Sequence, residues 1–194
     1  MPQPSHVMAL AVRSLEQLEA QLDEEMREYF ALCREKLGFV PNVLLSYASR
    51  PEKLKNFVAF YNELMLGESG LSKLEREMIA VVVSSTNHCY YCVVAHGQAV
   101  RKLSGDPELG EMLVTNYRVA ELSQRHRVML DFAHKLTTSP NLIGDRDRAA
   151  LRDAGFSDDE IFDIADTAGF FNMSNRVASG VDMIPNPEYH RLNR

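Results

Sequence analysis

The chain has 194 residues, of which 45% are hydrophobic and 25% are charged, and its formal net charge is -6 at pH 7. These values are typical of a globular protein with a buried core, and the length predicts one domain spanning residues 1–194. Lysine and arginine are dispersed along an acidic chain, which argues against nucleic acid as a partner because binding phosphates requires a basic surface. No apolar run approaches the ~20 residues that span a bilayer, so we expect no membrane partner and a cytoplasmic protein.

Apolar residues recur with the ~3.6-residue period of the α-helix along almost the whole chain, and no segment shows the alternation of a strand. The sequence therefore predicts an all-α fold. Gly38 is expected to end the first helix, and Pro51 suits the first turn of the second. The predicted helices cover residues 14–37, 54–65, 72–85, 88–103, 123–136, 145–154 and 157–171. The tail around residues 185–187 is expected to be extended and to lie over a neighbouring subunit.

Two of the predicted helices open in the same way, with a serine followed three residues later by a glutamate. This spacing predicts a capping box at each start, in which the two side chains satisfy free backbone amides. A shift of 85 residues superposes five identical residues, which suggests an internal helical duplication, although such a match could arise by chance. The pairs are Ser72 with Ser157, Glu75 with Glu160, Ile79 with Ile164, Ala80 with Ala165 and Asn87 with Asn172. The second copy has Ser174 and Val177 in place of the two cysteines of the first.

Those two cysteines, Cys89 and Cys92, form a CxxC pair that is followed four residues later by His96. On a helix, side chains four positions apart share a face, so the imidazole of His96 can reach the sulfur of Cys92. A helix N-terminus and a nearby imidazolium both favour a thiolate. We therefore expect an activated pair, with Cys92 the more acidic thiol. An odd count of three cysteines argues against a disulfide-stapled secreted protein, and Cys33 is expected to be an inert core residue.

Glu77 lies twelve residues before Cys89, too far for contact along one straight helix. The run from 84 to 87, Ser-Ser-Thr-Asn, is a poor helix interior and favours a break. If the chain reverses near Asn87, Glu77 and His96 lie nearly level on two antiparallel helices. The sequence thus predicts a relay in which Glu77 orients His96, and His96 takes the proton of Cys92 directly or through a water.

Other interpretations of these residues stay open. The CxxC pair could be core packing, or Cys89, Cys92 and His96 could hold zinc with His88 or Glu77 as the fourth ligand. Structural zinc sites usually draw their ligands from two separated clusters, so we expect no metal. The remaining histidines, at 126 and 134, are expected to be surface or core residues.

Three further residues are candidates for lining a pocket around the pair, namely Asn87, His88 and Tyr91. Tyr91 could shape that pocket or only pack beside it.

The segment from 71 to 100 resembles the alkyl hydroperoxidase D family, part of the carboxymuconolactone decarboxylase superfamily. The family pattern is a glutamate, a CxxC twelve residues later and a histidine four residues after the second cysteine. Glu77, Cys89, Cys92 and His96 match all four places. The chain is also similar to the branch of peroxidase-related enzymes in the stretches LGFVPNVL (37–44), LSKLEREMIAVVVS (71–84), NHCYYC (87–92) and GFFNMSNR (169–176). The best-studied members carry a second histidine where this chain has Tyr91, so its relay and reductant need not be theirs.

The resemblance implies an all-α bundle with an internal helical duplication, assembled as a trimer or hexamer and working without metal, haem or other cofactor. It also implies that Cys92 attacks a peroxide, that Cys89 closes a disulfide, and that a dithiol reductant, such as a lipoylated protein, resets the pair. The expected function is therefore a thiol-dependent peroxidase. The rivals are a redox-sensing or scaffolding protein using the same disulfide, and a decarboxylase or lactone-handling enzyme, a class that generally lacks the cysteine pair.

Overall fold

The computed structural model describes residues 15–194, which form ten α-helices and three short 3-10 helices and contain no strand. The predicted all-α fold is confirmed. The helices are α1 Leu15–Glu19, α2 Glu24–Leu37, α3 Asn42–Ala48, α4 Pro51–Leu66, α5 Lys73–Thr86, α6 Tyr90–Ser104, α7 Pro107–Asn116, α8 Gln124–Thr138, α9 Asp145–Asp153 and α10 Asp158–Gly180. None of these helices has the length and apolar character that crossing a membrane requires.

The long first helix predicted from the sequence is two helices. The chain leaves α1 after Glu19, and Asp23 then caps α2, its carboxylate accepting a hydrogen bond from the Met26 amide at 3.0 Å. The apolar period continues across the break because Leu18 and Leu22 are buried in the same cluster as the inner face of α2. Gly38 ends α2 in the left-handed region, with φ 86°, as predicted. Residue 14, the predicted start, lies outside the described residues.

Two helices, α3 and α7, were not predicted, and α10 is longer than expected. The start of α7 carries an ordinary signal, because Asp106 caps it and Pro107 occupies its first turn. α10 continues to Gly180, beyond the predicted end at residue 171. Its second half is rich in polar residues, which hides the apolar period, yet Ser174 and Asn175 are buried.

Helix α5 forms the centre of the molecule. All ten residues from Glu75 to Ser84 are buried, and α5 packs against α6, α7, α8 and α10. Helices α1 to α4 contribute a second apolar cluster, and a third surrounds the CxxC pair and the C-terminal tail. The CxxC motif therefore follows directly on this buried helix.

Both capping boxes are present, and one arginine joins them. Glu75 accepts a hydrogen bond from the Ser72 amide at 2.8 Å, and Glu160 accepts one from the Ser157 amide at 2.7 Å. The second oxygen of each carboxylate meets the guanidinium of Arg125, at 3.1 Å and 2.6 Å respectively. Equivalent positions of the predicted repeat thus lie side by side at the starts of α5 and α10.

The C-terminal tail packs on its own chain, and its expected contact with a neighbouring subunit stays a prediction. Asn186 donates to the carbonyl of Val40 at 3.0 Å and accepts from the amide of Asn42 at 2.8 Å. Asn42 in turn donates to the carbonyl of Ile184 at 2.8 Å. These bonds fasten the tail to the start of α3, and from there a short 3-10 helix, Pro187–His190, approaches the cysteine pair.

Candidate active site

The chain reverses between α5 and α6, as the break near Asn87 predicts. Asn87 ends α5, and His88 adopts φ 54°, a left-handed conformation that turns the backbone. The Cys89 amide donates to the carbonyl of Ser84 at 2.9 Å, which closes the turn, and Cys89 then precedes the first residue of α6. The turn therefore delivers the first cysteine to a helix N-terminus.

Glu77 and His96 meet across this hairpin, so the predicted contact is confirmed. The Nδ1 atom of His96 lies 2.7 Å from Oε2 of Glu77, and each residue is only 9% exposed. Because an ionised carboxylate only accepts hydrogen bonds, Nδ1 carries the proton and Nε2 is left for other partners. The edge of the imidazole packs against the Phe171 ring, with centroids 4.5 Å apart, which fixes the ring orientation. The catalytic roles of the pair stay predictions.

The two cysteines are reduced and buried, with exposures of 0% for Cys89 and 2% for Cys92. A hydrogen bond from the Cys92 thiol lowers the pKa of Cys89 to about 6, against the opposing effect of burial. The Cys92 amide, the Ser179 hydroxyl and the charge of His96 lower that pKa further. The pKa of Cys92 is raised because its thiol donates a hydrogen bond to Cys89 and because it is buried. This reverses the predicted order of acidity, because Cys89, at the start of α6, is the thiol with the lower pKa.

The thiol with the higher pKa, Cys92, is the one that a cavity reaches. A cavity of about 340 Å³ lies between α2, α4, α5, α6 and α10, and Cys92, Glu77 and His96 line it whereas Cys89 does not. Its walls are mostly apolar, with aromatic and methionine side chains from α4 and α10: Phe57, Tyr61, Met65, Phe170 and Phe171. A small organic molecule in this cavity would therefore meet Cys92 and the Glu77–His96 pair.

Of the three predicted pocket residues, only Tyr91 lines the cavity. Its hydroxyl accepts a hydrogen bond from the Val43 amide at 3.1 Å, which ties α6 to α3. His88 is exposed in the turn, because its left-handed conformation belongs to the reversal of the chain. Asn87 is half-buried beside the turn and does not line the cavity. Cys33, expected to be only a core residue, is buried and also lines the cavity, where burial raises its pKa.

Sequence reasoning missed the contribution of α10 to the site. Asn87 donates to Asn172 at 3.1 Å and to Asn175 at 2.9 Å, and Asn175 donates to the hydroxyl of Ser84 at 2.9 Å. Asn175 also lowers the pKa of Cys92, as does Ser174, which lines the cavity. The GFFNMSNR stretch and the 85-residue repeat offset were the signals, since they align Asn87 with Asn172 and Cys89 with Ser174.

Within residues 15–194, no three histidine, cysteine, aspartate or glutamate side chains converge in a way that could hold a metal ion. His126 lies 3.7 Å from Glu75, and His134 is half-buried beside Tyr117. Both therefore occupy the surface or core environments that were expected for them.

Comparison with known proteins places this geometry in a family. The model of the carboxymuconolactone decarboxylase family matches residues 51–126, which include the CxxC hairpin. No curated protein matches the chain. The debrominase Bmp8 has a TM-score of 0.77 at 16% identity, over 98% of this chain and 96% of that one, and so shares only the fold.

Two solved structures are much more similar. A peroxidase-related protein of uncharacterised function from Silicibacter sp. TM1040 is 58% identical over 100% of this chain and 98% of that one, with a TM-score of 0.91. A peroxidase-related protein from Ralstonia eutropha JMP134, described as an alkylhydroperoxidase AhpD core, is 41% identical over 91% of this chain and 93% of that one, with a TM-score of 0.88. The chain belongs to the peroxidase-related proteins of the alkyl hydroperoxidase D-like family, within the carboxymuconolactone decarboxylase superfamily.

Proposed function

We propose that the protein is a thiol-dependent peroxidase that reduces hydrogen peroxide or alkyl hydroperoxides. One observation carries the proposal: Cys92, paired with Cys89, faces an apolar cavity beside the buried Glu77–His96 pair. A cysteine that faces an apolar cavity next to a second thiol and a proton carrier has the parts that two-electron peroxide reduction needs.

The first step is attack by Cys92 on the peroxide. The thiol proton moves to Nε2 of His96, since Glu77 holds the other ring nitrogen and stabilises an imidazolium. The Cys92 thiolate then attacks one peroxide oxygen, the O–O bond breaks, and the departing alkoxide or hydroxide takes a proton from His96. The products are an alcohol or water and a sulfenic acid on Cys92.

The second step uses Cys89. Its sulfur attacks the sulfur of the sulfenic acid, and an S–S bond forms as the S–O bond breaks. The departing hydroxide takes a proton from solvent and leaves as water. A pKa of about 6 keeps Cys89 largely ionised at neutral pH, which suits it to this attack.

The cycle closes when an external dithiol reduces the disulfide. Its two thiols are oxidised to a disulfide while Cys89 and Cys92 regain their reduced form. We propose a dithiol reductant for this role, with a lipoylated protein as one source, and a homo-oligomer of three or six chains as the working assembly. No cofactor enters any step.

The proposal is tested by stopped-flow measurement of peroxide consumption with a panel of dithiol donors. Wild type should turn over many equivalents of peroxide, and Cys92→Ser should fall to background. A redox sensor would instead react once per chain and stop with every donor. Elemental analysis that finds about one zinc per chain, lost in Cys89→Ser, would contradict the thiol chemistry.

The decarboxylase or lactone-handling alternative makes a different prediction. Such an activity would need the cavity but not the paired sulfurs, so it would survive in a Cys89→Ser, Cys92→Ser double variant. The position of Cys92 in the cavity wall, with Cys89 hydrogen-bonded to it, supports peroxide chemistry over this rival.

A further inference from the structure

The cavity that holds Cys92 has an exposed end, and two lysines lie there. Lys73 and Lys102 both line the cavity and are exposed to solvent. Beside them are Leu66 and Leu103, which also line the cavity and are 55% and 44% exposed. Cys92, at the other end, is 2% exposed, so the cavity runs from a solvated mouth to a buried sulfur.

The positions along the hairpin give the length of this path. Lys102 is ten residues after Cys92 on α6, which corresponds to roughly 15 Å along the helix axis. Lys73 is one helical turn before Glu77 on α5, on the side away from the connecting turn. Because α5 and α6 run in opposite directions, both lysines lie at the same end of the hairpin, with the Glu77–His96 pair between them and the sulfur.

Neither of the two lysines has a carboxylate partner, and in this they are like Lys36 and Lys53 elsewhere in residues 15–194. Among the described residues, Lys55 pairs with Asp23 and Glu25, and Lys135 pairs with Asp147, whereas no acidic group lies within 4.0 Å of the amine of Lys73 or Lys102. Two unpaired cations at the mouth of an apolar cavity, in a chain with a net charge of -6, form a local site for an anion.

We propose that the preferred substrate is an organic hydroperoxide that carries a carboxylate at the far end of a hydrocarbon chain. The hydrocarbon fills the apolar cavity, whose volume is about 340 Å³. The peroxide reaches Cys92, and the carboxylate stays at the solvated mouth beside Lys73 and Lys102. This inference rests on the proposed peroxidase function and names its substrate class.

The contribution of the lysines is expected in binding rather than in chemistry. An exposed ion pair is weak and sensitive to salt because water and counterions screen it. Replacing both lysines should therefore lower kcat/KM for a carboxylate substrate by roughly three- to tenfold, through KM. The rate for a neutral substrate of the same shape should stay unchanged.

The experiment compares a hydroperoxy fatty acid with its methyl ester, using a neutral dithiol as reductant. Wild type should prefer the acid, added salt should reduce that preference, and Lys73→Gln with Lys102→Gln should remove it. Lys53→Gln serves as the control, because Lys53 is exposed on α4 but does not line the cavity.

Each outcome separates the two proposals. If wild type consumes the acid and the ester equally well, or if the double variant slows both equally, the carboxylate site is wrong and the peroxidase function stands. If wild type consumes neither substrate nor any simple alkyl hydroperoxide, the proposed function itself fails.

Discussion

Helices α5 and α10 begin alike and end differently. Each opens with a serine–glutamate capping box, and both glutamates bind the guanidinium of Arg125. α5 stops at Thr86, and the turn at His88 starts a new helix at the first cysteine. α10 continues for 23 residues, with Ser174 where the repeat would place that cysteine. The comparison teaches that breaking one helix creates the N-terminus at which a thiolate is stabilised, whereas the unbroken copy provides supporting polar side chains.

The largest loss of activity is expected from replacing His96, which lies on α6, the helix that follows the break after α5. His96→Ala removes the group that we propose carries the proton of Cys92, so kcat/KM for peroxide should fall by about 10²–10⁴-fold. The matched change at the end of α10 is Val181→Ala, at the repeat position of His96, which should leave the rate within a few-fold of wild type. Steady-state peroxide consumption with a saturating dithiol measures both. Equal rates in His96→Ala and wild type would remove His96 from the relay.

The next largest effect is expected from removing the hydrogen bonds that join α10 to the end of α5. Asn175→Ala removes one hydrogen-bond partner of the half-buried Asn87 and the partner of the buried Ser84 hydroxyl, which should cost about 2 kcal/mol of unfolding free energy. It should also raise the pKa of Cys92, because the amide of Asn175 lowers it. Denaturant unfolding and the pH profile of Cys92 alkylation measure the two results. Met173→Ala, at an exposed site on α10, is the control and should change neither.

A smaller change is expected at the helix N-terminus itself. The Cys92 thiol is the main group that lowers the pKa of Cys89 to about 6, so Cys92→Ala should raise that pKa and reduce the thiolate fraction at neutral pH. In wild type, the thiolate should be lost as the pH falls through about 6. Titration of the ultraviolet thiolate absorbance measures the shift. Cys33→Ser should leave this titration unchanged, and a Cys89 pKa that does not move in Cys92→Ala would show that the two thiols do not share a proton.

The smallest effects, on stability alone, are expected at the serine caps with which both α5 and α10 begin. Ser72→Ala and Ser157→Ala each remove one capping side chain and should each cost about 1 kcal/mol of unfolding free energy. Because both boxes are joined through Arg125, the cost of the double variant should depart from the sum of the single costs. Denaturant unfolding of the four proteins gives the coupling, and strict additivity would mean that Arg125 does not connect the two helix starts.

The sequence predicted most of the fold and the centre of the site because those features have local signals. Apolar period, capping boxes and the polar break before Asn87 all act over a few residues, and the break alone brought Glu77 to His96. The short helix α3 and the second half of α10 gave no such period. The order of acidity was wrong because it depends on which thiol donates to the other, a tertiary detail that helical spacing does not contain. The roles of Cys33 and Asn175 likewise depend on contacts between distant segments.

The central claim is that Cys92 attacks the peroxide because it faces the cavity, although Cys89 has the lower pKa. The most direct measurement treats Cys89→Ser and Cys92→Ser separately with one equivalent of peroxide and quantifies the sulfenic acid by mass spectrometry after trapping. Cys89→Ser should accumulate a sulfenic acid on Cys92 rapidly, since its resolving partner is gone, and Cys92→Ser should be modified at Cys89 far more slowly. Faster oxidation of Cys89 than of Cys92 would contradict the claim and make the thiol at the helix N-terminus the one that attacks.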